Sequence, residues 1–370
     1  MQPVQSVTII GAGVVGCFLA YRLASEGVPV TVIERQHVGA GASGASAGNV
    51  QPGEVDIVLA AESLELFRRF LPAIKEESGI DPQDHEVHYL YAALDEQEVA
   101  QTQEFSTVLQ QGGLRVEWID GPTVRALESR FVPGVLGGAW HRDCMQMDAY
   151  RFVMALSKAM QGRGVQVRQG EVVGLQHSGE RVTGVRLRDG TTLACDTLVL
   201  ALGAWTGVAA SQWLGVSLPI EPHSLQKLHV RPMAEPLRCA VRWSEVNVVS
   251  RVDGLVHVGS KHDPTGFTAQ PTPEGRHWLL ERLNTVLPAF EFEVVAAGAG
   301  LAASTPKKVP VLGPLPGFAS AYVAVPSTNG FLLSAVLTHI LTELFVHGRQ
   351  HALLPDLLPE RALCRASTAG

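Results

Sequence analysis

Near the start of the chain, Gly11-Ala-Gly13-Val-Val-Gly16 and an acidic residue 18 positions further on, Glu34, have the types and spacing to hold a dinucleotide. Gly11 permits a tight turn, Gly13 lets backbone approach a pyrophosphate, and Gly16 allows a helix to pack closely on a strand. The N-terminus of that helix offers N–H groups and the positive end of a dipole to phosphates. Glu34 sits close to the ~20-residue spacing at which an acidic side chain takes ribose hydroxyls. A glycine-rich turn with no ligand would account for the glycines but not for Glu34. The fingerprint alone does not separate FAD from NAD.

Other constellations are weaker. His85 and His88 are spaced unlike a closed metal site and lack converging Cys or carboxylate partners, so they are expected at the surface. There is no paired-carboxylate motif or Walker loop.

The elements that must position the glycines follow from periodicity. Residues 7–10 and 30–33 are β-branched runs and 14–26 has a helical pattern, which together open a βαβ unit. The small-residue stretch from Gly39 to Asn49 is suited to bringing backbone against a ligand. Helical patterns are expected over 62–71 and 97–110, and alternating strands over 165–193 with Asp189-Gly190 as a hairpin turn. The apolar run 197–202 suits a parallel strand covered on both faces. Residues 218–295 alternate again, as an antiparallel sheet would, with one helix near 275–286. A last strand, 322–325, is followed by the Gly330 turn and a helix from Phe331.

Bulk properties exclude several classes of partner. A chain of 370 residues with 46% hydrophobic content can bury a large core and suggests two domains. The net charge of -7, with no run of like charge, speaks against nucleic acid and anionic membrane surfaces. Five scattered cysteines without a CxxC pair argue for a reducing, cytoplasmic setting rather than a disulfide framework. Residues 1–20 lack the basic region of a signal peptide. The apolar stretch 331–346 contains Thr338, His339, Thr342 and Glu343, and is expected to be a buried helix rather than a transmembrane segment.

Over nearly its whole length the chain resembles the D-amino-acid oxidase-like family of FAD proteins, the glycine oxidase and sarcosine oxidase branch in particular. The features that carry the likeness are the glycine-rich opening with Glu34-Arg35, the segment Ala42-Ser-Gly-Ala-Ser-Ala-Gly-Asn49, Ala201-Leu-Gly-Ala-Trp205, Val258-Gly-Ser-Lys261 and Pro310-Val-Leu-Gly-Pro314. The resemblance implies FAD, with Val14, Val15, Glu34 and Arg35 at its adenosine half and Val173 on the adenine side. It implies Ala42, Ser43, Ser46, Ala47, Gly48 and Asn49 along the pyrophosphate and isoalloxazine, and Ala201, Gly203 and Trp205 as further contacts. Asn329, Gly330, Phe331 and Leu332 should present backbone N–H groups to the pyrimidine edge, where a helix N-terminus stabilises negative charge. Lys261 matches a lysine that sarcosine-oxidase-like proteins hold over the flavin, where a fixed cation would stabilise developing superoxide. A lysine beside His262-Asp263-Pro264 could equally cap a turn.

The chain also departs from that family. Relatives that oxidise amino acids read Gly-Leu-Arg-Pro-x-Thr-Pro before the last strand, and the arginine clamps the substrate carboxylate; here the segment is Gly300-Leu-Ala302-Ala303-Ser-Thr-Pro306. No tyrosine stands on 246–250 to replace it. Either Arg231, Arg242 or Arg251 takes over, or the substrate lacks a carboxylate at that spot. The Gly-His that precedes the final turn in relatives is Val325-Pro326 here, which makes Ser327 and Thr328 candidate polar neighbours of the substrate, or simple turn formers. Lys261, Asn49, Ser327 and Thr328 are therefore the candidate catalytic residues.

These readings lead to an α/β fold: a Rossmann-type FAD-binding domain with a second, mainly antiparallel β-sheet substrate domain. The FAD domain is expected to be discontinuous, from 1–50, 145–215 and 300–365, and the second to comprise 51–144 and 216–299. The expected activity is oxidation of the C–N bond of a small amine or amino acid, with dioxygen or another electron acceptor. A dehydrogenase serving a quinone or partner flavoprotein, and an FAD-binding subunit with a degenerate substrate site, are the alternatives. The chain could act as a homo-oligomer or as a subunit of a flavoprotein complex.

Overall fold

Short aliphatic runs, buried on both faces, form a six-stranded sheet. Its order is β17 (Val311–Pro314), β18 (Ala321–Val325), β11 (Thr197–Leu200), β1 (Val7–Ile10), β2 (Val30–Glu34) and β7 (Gln166–Gln169). All neighbours are parallel except β17 and β18. Such a sheet needs cover on both sides, and strand alternation divides it. Ile9, Val32 and Val199 pack with helices α1 (Val14–Ser25), α3 (Ile57–Ser78), Ala149–Gly162 and Gly330–His347. Ile10, Ile33 and Leu200 pack on a three-stranded meander of β8 (Val172–Ser178), β9 (Arg181–Leu187) and β10 (Thr192–Ala194). This computed structural model describes residues 4–53 and 55–367. Residues 1–3 and 54, which the expected segments 1–50 and 51–144 include, lie outside the described residues.

The second sheet runs β16 (Phe292–Ser304), β12 (Glu221–Pro232), β15 (Val256–Asp263), β14 (Val246–Ser250), β13 (Ala240–Trp243), β4 (His85–Ala93), β6 (Gly137–Gln146) and β3 (Asn49–Val50). A further strand, β5 (Val116–Asp120), also pairs with β6. Pairing is antiparallel except between β13 and β4. One face presents Leu228, Val258, Val248, Val241 and Leu90 in register to the Pro273–Val286 helix. The other face roofs a cleft. β16 passes through position 300 and β6 through 145 without interruption, so both expected boundaries fall inside strands of this sheet.

One apolar helix among the described residues, Ser327–His347, is long enough to cross a membrane, but most of it is buried inside the fold. Its polar residues are absorbed locally: Thr338 Oγ1 donates to Ser334 O and Thr342 Oγ1 to Thr338 O, while Val336 N–H donates to Ser63 Oγ of α3.

Candidate active site

The nucleotide end is built by close backbone approach. Gly11 has φ +109°, and a Cβ there would meet the Ala201 carbonyl oxygen at 2.5 Å. A Cβ on Gly16 would collide with the Gly11 carbonyl, which is how α1 lies so tightly on β1. Gly13 differs: its Cβ would find only Ser43 Oγ within 4 Å, because Gly13 faces the cleft. Ser43, on the short helix α2 (Ala42–Ala45), accepts from Val14 N–H at 2.9 Å. Glu34 accepts from Ala12 N–H and Gln36 N–H, both at 2.9 Å. Its carboxylate thus locks the turn, and a carboxylate has about four lone-pair sites, enough to take ribose hydroxyls as well. Arg35 lies 4.7 Å from the Trp205 ring centre, and Trp205 stacks on Phe267 at 5.9 Å.

From there a cleft of about 1140 Å³ runs under the roof sheet. One register row crosses that sheet on the cleft side: Gly298, Lys227, Gly259, Asn247, Arg242 and Tyr91. Lys227, Gly259, Asn247 and Arg242 line the cleft. Lys227 Nζ donates to the Ala45 carbonyl, tying the roof to α2. Burial, and then the nearby Arg251, push the Lys227 ammonium down to about 8, against an opposing pull from Asp148. Beside it His257 is fully buried with no partner for Nδ1 among the described residues, and burial keeps it neutral. Tyr91 OH donates to Gln51 Oε1 at 2.6 Å, and Asn329 Nδ2 donates to the Gln51 and Pro52 carbonyls at 3.2 and 3.3 Å. These bonds fix the wall that leads into the Gly330–His347 helix.

The residues fit FAD. The glycine cradle faces the cleft at Gly13, two helix N-termini open into it, and buried Asn49 Oδ1 lacks any partner among the described residues. A family model described as "DAO: FAD dependent oxidoreductase" matches residues 6–344. The chain belongs to the DAO family of FAD-dependent oxidoreductases. Glycine oxidase of Pseudomonas aeruginosa is 28% identical over 95% of this chain and 97% of its own length. The solved structure of glycine oxidase from Geobacillus kaustophilus has a TM-score of 0.89 at 25% identity, covering 95% of this chain and 98% of that one. Hydrogen cyanide synthase subunit HcnC of Pseudomonas aeruginosa is 22% identical over 97% of this chain and 96% of its own.

In this DAO-family member the cleft is lined by Gly11, Gly13, Val14, Val15, Glu34, Arg35, Ala42, Ser43, Ser46, Ala47, Asn49 and Val173. Ala201, Gly203, Trp205, Asn329, Gly330 and Phe331 line it too. Three expected cofactor contacts do not. Gly16 is spent on helix packing, and a Cβ on Gly48 would run into the Met147 carbonyl. Leu332 is wholly buried, its carbonyl accepting from Ser63 Oγ at 2.5 Å, because the helix has by then turned away from the cleft.

Among the candidate catalytic residues, Asn49, Ser327 and Thr328 line the cleft. Ser327 is buried at φ +62°, with its Oγ 2.8 Å from Thr305 Oγ1, an anchoring role in the turn. Lys261 is a correction: it does not line the cleft, and its Nζ pairs with Asp263. Simple alternation from His257 and Gly259 would aim Lys261 inward. A bulge opposite Gln226/Lys227 shifts the register, so Lys261 pairs with Gln226 on the helix-covered face while Ser260 and His262 turn into the cleft. Sequence reasoning missed Lys227, Gln51 and His257. The signal for Lys227 was the alternation of His223, Leu225, Lys227 and His229 against Ser224, Gln226, Leu228 and Val230, whose members are all buried.

Proposed function

We propose that this chain oxidises the carbon–nitrogen bond of a small amine or amino acid bound between the nucleotide cradle and the roof sheet. The observation that carries the reading is the continuity of the cleft, from Glu34 at one end to the polar underside of the roof at the other. FAD, when bound, supplies the redox chemistry by accepting a hydride from the carbon bearing a neutral amine and passing electrons to dioxygen or another acceptor.

The protein's own groups bind, orient and set the charge. The N-terminus of the Gly330–His347 helix opens on the cleft at Asn329 and Gly330, and its dipole favours negative charge there. Asn49 Oδ1 is a buried acceptor for an N–H of cofactor or substrate. The fixed cation expected at Lys261 is supplied by Lys227, which holds positive charge against the Ala45 carbonyl and stabilises negative charge developing on dioxygen. The free cysteines, four of them buried, support a reducing, cytoplasmic setting.

Similarity to a protein named as a subunit, HcnC, favours one second reading: electrons leave to a quinone or a partner flavoprotein, with the chain working in a complex or homo-oligomer. Oxygen consumption on adding substrate separates the two. The central test is an anaerobic bleaching screen of the FAD-loaded protein over amines, N-methyl amino acids, D-amino acids and cyclic imino acids. At least one class is expected to bleach the visible flavin absorbance, and a fully loaded protein that none of them bleaches would sink the reading.

A further inference from the structure

We propose that His257 is a second catalytic donor for dioxygen: its imidazole Nε2–H and the Lys227 ammonium bracket one spot on the underside of the roof sheet, where oxygen is held as it takes on negative charge. This rests on the reading of the chain as a flavin-dependent C–N oxidoreductase that passes its electrons to dioxygen.

Residues two apart on a strand share a face, and His257 and Gly259 of β15 both line the cleft. They pair in register with His229 and Lys227 of β12. The imidazole folds along its own strand, because a Cβ on Gly259 would meet His257 Nε2 at 2.7 Å, with Lys227 Cβ 3.2 Å from the same point. Nε2 therefore stands where a side chain on Gly259 would stand, and the glycine is what lets it reach the cleft. Nδ1 is buried without a partner among the described residues. A buried N–H without an acceptor is rarer than a buried lone pair without a donor, which assigns the ring proton to Nε2, on the cleft side.

The surroundings keep that ring neutral. Burial is reinforced by Lys227, His229 and Arg251, all of which disfavour a cation there. The carboxylates of the same neighbourhood, Asp148 and Asp253, are held by Arg251 at 2.8 and 3.0 Å. His229, whose ring centre is 5.7 Å from that of His257, is itself pushed down to about 4 by burial and then by Lys227 and Arg251, against Asp253 and Asp148.

Lys227 supplies the charge. Of its three N–H bonds, one goes to the Ala45 carbonyl and two remain. Its stem leans the other way from His257, over Gly298 of β16, where a Cβ would meet Lys227 Cε at 3.3 Å. Gly298 and Gly259 flank Lys227 in the row, two strand spacings or roughly 10 Å apart. A two-oxygen anion accepting from one donor at each end spans two hydrogen bonds and an O–O bond, roughly 7 Å, which fits between them. Two electrons and one proton pass from reduced, anionic flavin to dioxygen and a second proton comes from solvent, giving oxidised flavin and hydrogen peroxide. Lys227 and His257 are unchanged over the cycle; one offers a charge and the other a fixed dipole to the negative charge that appears with the first electron.

The tautomer is read without turnover, from proton–nitrogen correlation spectra of the FAD-loaded protein, with His257 assigned by the signals lost in His257→Met. A neutral ring with its proton on Nε2 is expected; a proton on Nδ1, or a charged ring at neutral pH, overturns the proposal. Stopped-flow mixing of dithionite-reduced, FAD-loaded protein with oxygen then tests the role. His257→Met is expected to slow reoxidation about 10-fold. His257→Gln places an amide N–H near the position of Nε2 and is expected to recover most of that loss, which also guards against a Met variant that folds poorly. His262→Met, which changes another histidine of the same strand and cleft, is expected to react like the parent protein. Unchanged reoxidation in His257→Met overturns the proposal, whether FAD or glycolate affinity falls instead, as it would if the imidazole served the cofactor or a substrate carboxylate. So does a Gln variant no faster than the Met variant, or equal slowing in His262→Met. If the reduced parent meets oxygen no faster than free flavin, the oxygen site fails while the bleaching screen, which runs without oxygen, still decides the C–N reading. If no amine bleaches the parent but its reoxidation depends on His257, the C–N reading fails and the oxygen site stands.

Discussion

Alanine at Gly16 and alanine at Gly13 separate the packing of the nucleotide turn from its ligand. At Gly16 the added Cβ would sit far under 3.0 Å from the Gly11 carbonyl oxygen, and 3.3 Å from Ile9 Cγ2. Neither obstacle can move freely, because Ile9 is fully buried and the Gly11 turn is pinned by its N–H bond to Ile33 O. Helix α1 must therefore lift from β1, and overpacking of this kind costs typically ~1–3 kcal/mol and occasionally more. A clash this close with backbone belongs at the upper end of that range, about 3 kcal/mol; the ~1 kcal/mol by which Ala outranks Gly inside a helix works the other way, so a net loss of about 2 kcal/mol is expected. At about 2.1 cal/mol/K per residue, the unfolding entropy of 370 residues is about 0.8 kcal/mol/K, and Tm should fall by about 2–3 °C. At Gly13 the new methyl meets only Ser43 Oγ, at 3.0 Å, so the apoprotein should melt within ~1 °C of the parent. That methyl occupies the space through which backbone approaches the phosphates, and FAD affinity should drop about 10- to 100-fold, or about 1.4–2.7 kcal/mol. Thermal melts of apoprotein and a fluorescence titration with FAD measure the two quantities separately. An apo Gly13→Ala that melts as low as Gly16→Ala, or that binds FAD like the parent, would refute the division of labour.

Lys227→Met should slow the reaction of dithionite-reduced protein with oxygen about 100-fold in stopped-flow measurements, whereas Lys261→Met, whose partner is Asp263, should change it less than about twofold. Because Lys227 is held near 8 rather than at its ordinary 10.5, its charge is present below that pH and lost as pH rises through it. Oxygen reactivity of the parent should fall across that window, and a flat profile would remove Lys227 from the reaction. The same displacement means that the unfolded chain binds the extra proton between about 8 and 10.5, so Lys227's contribution to stability rises with pH there, as denaturant melts of the parent and Lys227→Met can check. Glu34→Gln sets an amide NH₂ against either the Ala12 or the Gln36 N–H, and calorimetry should show FAD affinity lowered at least about tenfold.

The nucleotide turn was legible because every part of it is local: strand, glycines, helix start and the acidic end of the next strand lie within 34 residues. The buried helix was legible too, although its polar residues were explained only by the bonds they make inside the fold. Element ends were less so. The helix expected over 62–71 extends to Ile57–Ser78, begun by Asp56 capping the Val58 and Leu59 N–H groups and continuing through Pro72.

Position 302 shows what sequence decided alone: an alanine cannot be a clamp, whatever the fold. Which charged groups share the cleft with it was beyond a linear reading, because Lys227, Gly259, Asn247 and Arg242 form a row only once strands distant in the chain pair in one register. Lys261 makes the same point from the other side. Strand alternation has a period of two, so one bulged residue sends a side chain to the opposite face, and that bulge exists only in the pairing of β12 with β15. Composition and spacing thus determined that a dinucleotide is held and which groups are missing, while tertiary register determined which cations face it.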